Sequence, residues 1–452
     1  MSNWISEAIF YHIYPLGFCG APLRNDFNAP PVPRLEQIYG WLDHIQTLGA
    51  NAVYLGPLFE SSLHGYDTAE YYHVDRRLGT DETLAHLSTV MHERGLRLVL
   101  DGVFNHVGRD FWAFRDVLAN RERSDYRDWF ANLRFDQHSP YNDPFGYEGW
   151  NGHYELVKLN LNNPAVKEHL FGAVESWIRD FGIDGLRLDA ADCLDFNFIK
   201  ELAAFCHKLR PDFWLMGEVI YGDYRRWANP EMLDSVTNYE VYKSLYSSHV
   251  DHNYFEIAYA LNRQFGPNGS YQGLPLYAFA DNHDVNRVAS SLTNPAQLYP
   301  LYCLLFSLPG FPSIYYGSEW GLTGKKTRYS DLPLRPQLIL EEAVRTAPQP
   351  RLPADIARLA LARKSSTALR EGNYQQLLVQ SEQLVFVRQA GDERVIVAIN
   401  ASEKPVTVRF KLPAGFTGRL RDILNPGGEF SATAGGDMAV EIPACWGRFL
   451  RG

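Results

Sequence analysis

The 452-residue sequence predicts an α/β fold: a closed (β/α)8 barrel of the TIM type, a small lobe inserted after strand three, and a C-terminal antiparallel β domain. Three observations carry this expectation. Short apolar runs alternate with helical patterns eight times between Ala8 and Leu369. Four of the runs end in acidic or imidazole residues: Leu96 to His106 (LRLVLDGVFNH), Gly185 to Asp189 (GLRLD), Phe213 to Glu218 (FWLMGE) and Leu276 to Asp284 (LYAFADNHD). After about Asn373 the pattern changes to short alternating segments divided by glycine and proline, as in antiparallel sheets. Eight successive strand-helix units favour closure over an open doubly wound sheet, and carboxylates at strand C-termini mark the face where barrels do chemistry.

Taken in order, Ala8 to Pro15 (AIFYHIYP) is the first strand, being aromatic and β-branched. Leu35, Ile38, Trp41, Leu42, Ile45 and Leu48 recur at helical spacing from Arg34 to Leu48, and Gly49 stops the helix. Asn51 to Leu55 is strand two. Asp81 is expected to cap a helix running to Arg94, with Gly95 ending it before strand three. From residue 107 to 163 the rhythm gives way to a stretch rich in Trp, Tyr, Asn, Asp, Gly and Pro, too long for an ordinary connection. It reads as a lobe overhanging the carboxylate end. The barrel, begun at residues 1–106, resumes over 164–372: a helix from Pro164 to Phe181, the Arg187/Asp189 strand, a helix from Phe196 to Leu209 and the Glu218 strand. A strand near Ser235 to Tyr239, a helix from about Val241 to Phe265 and the Asp284 strand follow. Next come a helix from Pro295 to Leu308, strand eight at Phe311 to Gly317, a proline-rich excursion and a helix from Ala354 to Leu369. Residues 373–452 form the C-terminal β-sandwich domain, with strands at Leu384 to Arg388, Arg394 to Asn400 and Val406 to Leu412.

Composition narrows the ligand. A net charge of −10 argues against nucleic acid and for an uncharged or cationic molecule. Aromatics reach 14%, and many stand beside polar residues in loops, where ring faces suit the apolar faces of sugars. The amino terminus has no basic n-region or apolar h-region, so no secretory signal is expected, and no apolar run is long enough to span a membrane. Cys19, Cys193, Cys206, Cys303 and Cys445 are odd in number and without metal-ligand spacing, which predicts reduced thiols in a cytoplasmic protein.

A two-residue period puts Arg187 and Asp189 on one face of their strand. Cleavage of a sugar acetal with retention needs a carboxylate nucleophile and a carboxylic acid roughly 5 Å away, which a barrel supplies by ending neighbouring strands at one rim. Asp189 and Glu218 fit. Arg187 is expected to keep Asp189 ionised and oriented, while Trp214 and Met216, on the face of Glu218, predict a less polar setting that keeps that acid protonated.

The runs DGVFNH (Asp101 to His106), GLRLDAAD (Gly185 to Asp192), GEV around Glu218 and FADNHD (Phe279 to Asp284) resemble the four ordered signature regions of the α-amylase superfamily, glycoside hydrolase family 13. The resemblance implies that Asp189 is the nucleophile, Glu218 the general acid/base and Asp284 the third carboxylate, gripping sugar hydroxyls. It implies that His106 and His283 bind hydroxyls of the cleaved sugar, that Arg187 partners the nucleophile, and that Tyr66 in HGYD stacks under that sugar with Asp67 beside it. Val157-Lys158-Leu159-Asn160 and GPLFES (Gly56 to Ser61) look like segments of the neopullulanase, cyclomaltodextrinase and maltogenic amylase branch, with Val157 in place of proline. Members of that branch carry an additional N-terminal β domain, whereas this sequence starts close to its first barrel strand.

Beyond strand eight, Arg328 and Arg335 are candidates to pair with Asp67 or meet sugar hydroxyls, and Arg328 joins the substrate-binding set. Trp150, Tyr154 and Tyr221 are either outer sugar platforms or packing. Asn105 either holds the lobe or, as in relatives, binds calcium, but no acidic cluster resembles a dedicated Ca²⁺ loop, so no metal or other cofactor is expected. The expected partner is a small oligosaccharide, taken by a monomer or homodimer. The leading reading is a retaining hydrolase of α-1,4 glucosidic bonds, with α-1,6 bonds as an additional option, in short or cyclic maltooligosaccharides. A transglycosylase using the same glycosyl-enzyme is the first rival. A barrel that only binds carbohydrate is the second, and the complete set Asp189, Glu218 and Asp284 opposes it.

Overall fold

The computed structural model describes residues 4–413, 416 and 419–452. Eight strands form the barrel: β1 (Phe10–Ile13), β2 (Ala52–Leu55), β3 (Arg97–Gly102), β4 (Gly185–Leu188), β5 (Trp214–Gly217), β6 (Ser235–Val236), β7 (Tyr277–Phe279) and β8 (Phe311–Tyr315). They are parallel, in the order β7-β8-β1-β2-β3-β4-β5-β6. A single parallel bridge from Thr237 to Tyr277, with Asn238 N–H donating to Tyr277 O at 2.8 Å, joins the ends of the sheet. Both faces of each strand are buried, which is why the strands read as near-continuous apolar runs. Phe10, Ala52, Trp214, Tyr277 and Phe311 fill the interior, while Tyr11, Val53, Leu98, Leu186 and Leu215 pack outward on the helices. Gly185 is required where β4 approaches β5, since a Cβ there would lie 2.5 Å from the Trp214 carbonyl oxygen.

Register then fixes the mouth. Asp101 of β3 lies opposite Arg187 of β4, which lies opposite Met216 of β5. The pairing runs on past the strand ends, with Asp189 N–H donating to Gly102 O at 3.0 Å and Glu218 N–H to Leu188 O at 2.9 Å. Asp101, Arg187, Asp189 and Glu218 therefore rise from adjacent strands on the inner face.

The inserted lobe holds a three-stranded antiparallel sheet (His106–Gly108, Gly149–Trp150, His153–Lys158) and the helix Trp112–Asn120. It is stitched to the barrel mouth, since Leu159 N–H donates to Asn105 O at 3.0 Å and Gly108 N–H to Thr68 O at 2.8 Å. The C-terminal segment forms a six-stranded and a two-stranded sheet, both antiparallel, with Val385, Ile396, Val408, Val440 and Leu450 in one cluster.

Several element expectations need correction. The helix expected from Val241 to Phe265 is two, Tyr239–Val250 and Tyr254–Phe265, broken where His252 takes a left-handed φ of 50°. Tyr239 opens the first of them instead of ending a strand, because the Asn238 side chain caps Val241 N–H. Thr80, not Asp81, caps the helix Asp81–Glu93, exchanging hydrogen bonds with Thr83. The last barrel helix divides into Leu352–Lys364 and Thr367–Glu371, the second capped by Ser366. The pattern from Arg34 begins as a 3-10 stretch and becomes α-helical only over Leu42–Thr47. No helix of the described residues is long and apolar enough to cross a membrane.

Candidate active site

Arg187 is the centre of the mouth. Its Nη1 donates to Asp101 Oδ1 at 2.8 Å and to Asp189 Oδ1 at 2.9 Å, and its Nη2 lies 2.8 Å from Glu218 Oε2. One guanidinium thus holds the carboxyls of Asp189 and Glu218 side by side, and both are 10–12% exposed at their side chains. Asp101 is buried beneath them, taking further hydrogen bonds from Tyr54 Oη (2.9 Å) and Tyr66 Oη (3.1 Å).

Asp284 enters from the segment that follows β7. His283 Nε2 lies 2.9 Å from its Oδ2 and Arg335 Nη2 donates to its Oδ1 at 2.8 Å. Arg335 Nε also donates to His283 O at 2.9 Å, and its guanidinium sits 4.5 Å from the centre of the Tyr14 ring. Tyr66 Oη bonds His283 Nε2, and the two rings are nearly parallel with centroids 5.5 Å apart. His106 stands beside Asp189, Nε2 to Oδ2 at 3.8 Å. Asn105 Nδ2 lies 3.1 Å from its Nδ1, so the ring proton sits on Nε2, a buried donor with no partner among the described residues. Burial pushes the His106 imidazole down to about 3, so it is neutral at working pH.

The electrostatics overturn two expectations. Burial and the negative charges of Glu218, Asp101 and Asp284 outweigh Arg187 and raise the Asp189 carboxyl well above its ordinary range. Glu218 does not lie in a less polar setting: Oε2 faces Arg187 and Ala190 N–H (3.2 Å), and Oε1 takes a hydrogen bond from Tyr239 Oη at 3.1 Å. Glu218 thus accepts from three donors, whereas Asp189 accepts from one guanidinium nitrogen. Asp284 behaves oppositely: burial alone would raise it, but His283, Arg335 and Arg187 hold it well below the usual carboxylate range.

Of the residues expected in the site, Asp189, Glu218, Asp284, Tyr66, His106, Arg187 and His283 come together. Asp67 is buried nearby but turns Oδ1 into its own loop, accepting from His64 N–H at 2.9 Å. Arg328 is not in the site. It is exposed, its guanidinium over the Tyr329 ring, and Arg335 makes the inward contacts instead. Trp150 lies 5.6 Å from the His106 ring, whereas Tyr221 is 81% exposed. Sequence reasoning missed Tyr239 and Asn282, whose Nδ2 donates to Tyr239 Oη at 3.1 Å. It also missed Ala190, whose left-handed φ of 44° turns its N–H onto Glu218. Asn282 was legible as part of FADNHD; Tyr239 carried no signal of its own.

A barrel that presents two carboxyls across one guanidinium, with a third carboxyl and the unpartnered His106 Nε2 donor beside them, has the constellation of a glycoside hydrolase. Residues 25–367 match the family described as "Alpha amylase, catalytic domain", and the chain belongs to the alpha-amylase family of glycoside hydrolases. It is 33% identical to a cyclomaltodextrinase from Bacillus sp. over 433 residues, 90% of this chain and 75% of that protein. Among solved structures it is similar to the debranching enzyme from Nostoc punctiforme (TM-score 0.84, 30% identity, 100% of this chain and 99% of the other). It is also similar to the cyclic alpha-maltosyl-(1→6)-maltose hydrolase from Arthrobacter globiformis (TM-score 0.82, 30% identity, 99% of both chains).

Proposed function

We propose that the protein hydrolyses α-1,4 glucosidic bonds, and α-1,6 bonds as well, in short or cyclic maltooligosaccharides, with retention and through a covalent glycosyl-enzyme. The observation that carries this reading is the pairing of Asp189 and Glu218 on the one guanidinium of Arg187, which supports a separation of on the order of 5 Å. The names of the similar proteins support the substrate class: a cyclomaltodextrinase, a cyclic alpha-maltosyl-(1→6)-maltose hydrolase and a debranching enzyme.

In the first step, with the sugar bound, Asp189 acts as the carboxylate and Glu218 carries the proton. Asp189 attacks the anomeric carbon; the bond to the glycosidic oxygen breaks, and that oxygen takes the electron pair and the Glu218 proton. Water then attacks the same carbon, gives its proton to Glu218, and releases Asp189. His106 Nε2–H, His283 and Asp284 face the sugar hydroxyls, and Tyr66 offers its ring beneath. The expectation of no metal requirement has its own test: turnover of maltotriose should be unchanged after dialysis against EDTA. A cytoplasmic location fits the five free thiols.

Asp189→Asn and Glu218→Gln are each expected to lower kcat on maltotriose or a cyclodextrin by on the order of 10³-fold. Proton NMR of the first product formed should show the α-anomer. Near-wild-type turnover by either variant, or the β-anomer appearing first, would end this reading. Resolving the products of maltotriose, panose, pullulan and cyclodextrins by size tests the linkage range, and products longer than the substrate as the major species would favour transfer over hydrolysis.

A further inference from the structure

Glu218 is held by a chain of hydrogen bonds whose direction the backbone dictates. Asn282 Oδ1 accepts from Asp284 N–H at 2.8 Å and from Val285 N–H at 3.2 Å. That fixes the amide, so Nδ2 is the atom that faces Tyr239 Oη. An amide nitrogen only donates. Tyr239 therefore accepts from Asn282 and gives its single proton to Glu218 Oε1. The other carboxyl oxygen, Oε2, already meets Arg187 Nη2 and Ala190 N–H, and a proton there would point at two donors. The acid form of Glu218 must carry its proton on Oε1.

We propose that Asn282 and Tyr239 are positioning residues that set the oxygen on which Glu218 holds its proton and the direction in which that proton points. The proposal rests on the reading of Glu218 as the acid/base. Tyr239 O–H fills one lone pair of Oε1, which leaves the Oε1 proton only the outward direction, toward the glycosidic oxygen. Asn282 fills the Tyr239 lone pair that could otherwise draw that proton inward. In the first half-reaction the proton passes from Oε1 to the departing oxygen, and in the second Oε1 regains one from water; Tyr239 keeps its own throughout. The ring that carries this hydroxyl is fixed by the Phe279 ring, 5.0 Å away and edge-on. The charged groups facing the pair are Arg187 and Asp189 on the Glu218 side and Asp284 on the Tyr239 side, with Asp101 behind Arg187.

The test compares Tyr239→Phe, Asn282→Asp and the double variant. Asn282→Asp still accepts from the two N–H groups, but its second oxygen now accepts from Tyr239 and pulls the phenolic proton away from Glu218. Each single variant should lower kcat on maltotriose about tenfold with KM within about twofold. The alkaline limb of the kcat profile, which reports Glu218 in the sugar-bound enzyme, should move up by about one pH unit, since a carboxyl that loses a donor holds its proton longer, while the acid limb stays put. The double variant should be no slower than Tyr239→Phe. A nitrophenyl maltoside, whose leaving group needs little protonation, should lose less rate than maltotriose. An unmoved alkaline limb in Tyr239→Phe, or rate losses that multiply in the double variant, would overturn the proposal. If one variant fails to fold, the alkaline limb of the other still decides. Full activity in Glu218→Gln is a separate outcome, which removes the assignment of Glu218 itself.

Discussion

Two buried arginine clusters sit in very different company. At the mouth, Arg187 is 3% exposed and ringed by Asp101, Asp189 and Glu218, so although burial opposes it, the surrounding negative charge holds its proton more tightly than usual. Against the C-terminal domain, Arg363 and Arg388 donate, among the described residues, to backbone carbonyls alone. Arg363 serves Leu308, Leu369, Phe306 and Gly310, and Arg388 serves Gly372 and Ser307. Burial, and then each one's cationic neighbour, pushes these two down, Arg363 to about 9. Five of the carbonyls close the helices Leu298–Ser307 and Thr367–Glu371 or follow directly after them, so the guanidiniums tie off helix ends. The contrast separates two uses of a buried cation. One gathers carboxyls that repel one another and shapes their protonation; the other satisfies peptide groups and joins elements.

The sharpest break of that contrast is Arg187→Lys. Charge is kept, but both fork nitrogens are in use, and a single ammonium cannot hold Asp101, Asp189 and Glu218 at once. Turnover should fall by about 10³-fold or more while the far-ultraviolet circular dichroism is unchanged. A loss under tenfold would mean that the mouth needs only a positive charge.

Arg388→Met asks the same of the second cluster and should give the reverse result. Two buried carbonyls lose their donor, costing about 2–4 kcal/mol in urea unfolding. The kcat of the folded enzyme should not change, and a drop in kcat would show that the clusters are coupled through β8 and the helices behind it.

The mouth was legible in sequence because one rule places it. A two-residue period combined with strand ends puts Asp101, Arg187, Asp189 and Glu218 on the inner face, and the parallel register observed does the rest. Where no period operates, sequence says less. Arg328 and Arg335 lie in one irregular excursion seven positions apart, and only the three-dimensional path shows that Arg335 turns inward over Tyr14. The polar setting of Glu218 escapes the sequence for a related reason. Trp214 and Met216 do line the interior below Glu218, but the donors that meet its carboxyl come from residues distant in sequence or just past a turn: Arg187, Ala190 and Tyr239. The break between the helices at Asp251 to Asn253 was nearer to legible, since three polar residues interrupt the apolar stripe there.

The smallest expected effect extends the comparison from arginine to histidine. His249 lies on the helix Tyr239–Val250, away from the mouth, fully buried, with Nδ1 2.6 Å from Leu245 O and Nε2 2.8 Å from Tyr254 Oη. The carbonyl accepts from Nδ1–H, and the phenol donates to Nε2, so the ring is neutral with both nitrogens satisfied. Burial, only partly opposed by that carbonyl, pushes it from 6.5 to about 4. The unfolded chain therefore takes a proton on this histidine before the folded protein does. Stability is full above about pH 6.5, falls as pH drops from there toward 4, and loses nothing further from this group below that; at pH 5 the loss is about 2 kcal/mol. His106 carries the same sign over a wider window, down to about 3. His249→Gln should flatten the fall in Tm between pH 6.5 and 4 and leave kcat alone, whereas His106→Gln should flatten it and lower kcat too. Equal kcat in the two variants would mean that the unpartnered Nε2 of His106 meets no substrate hydroxyl.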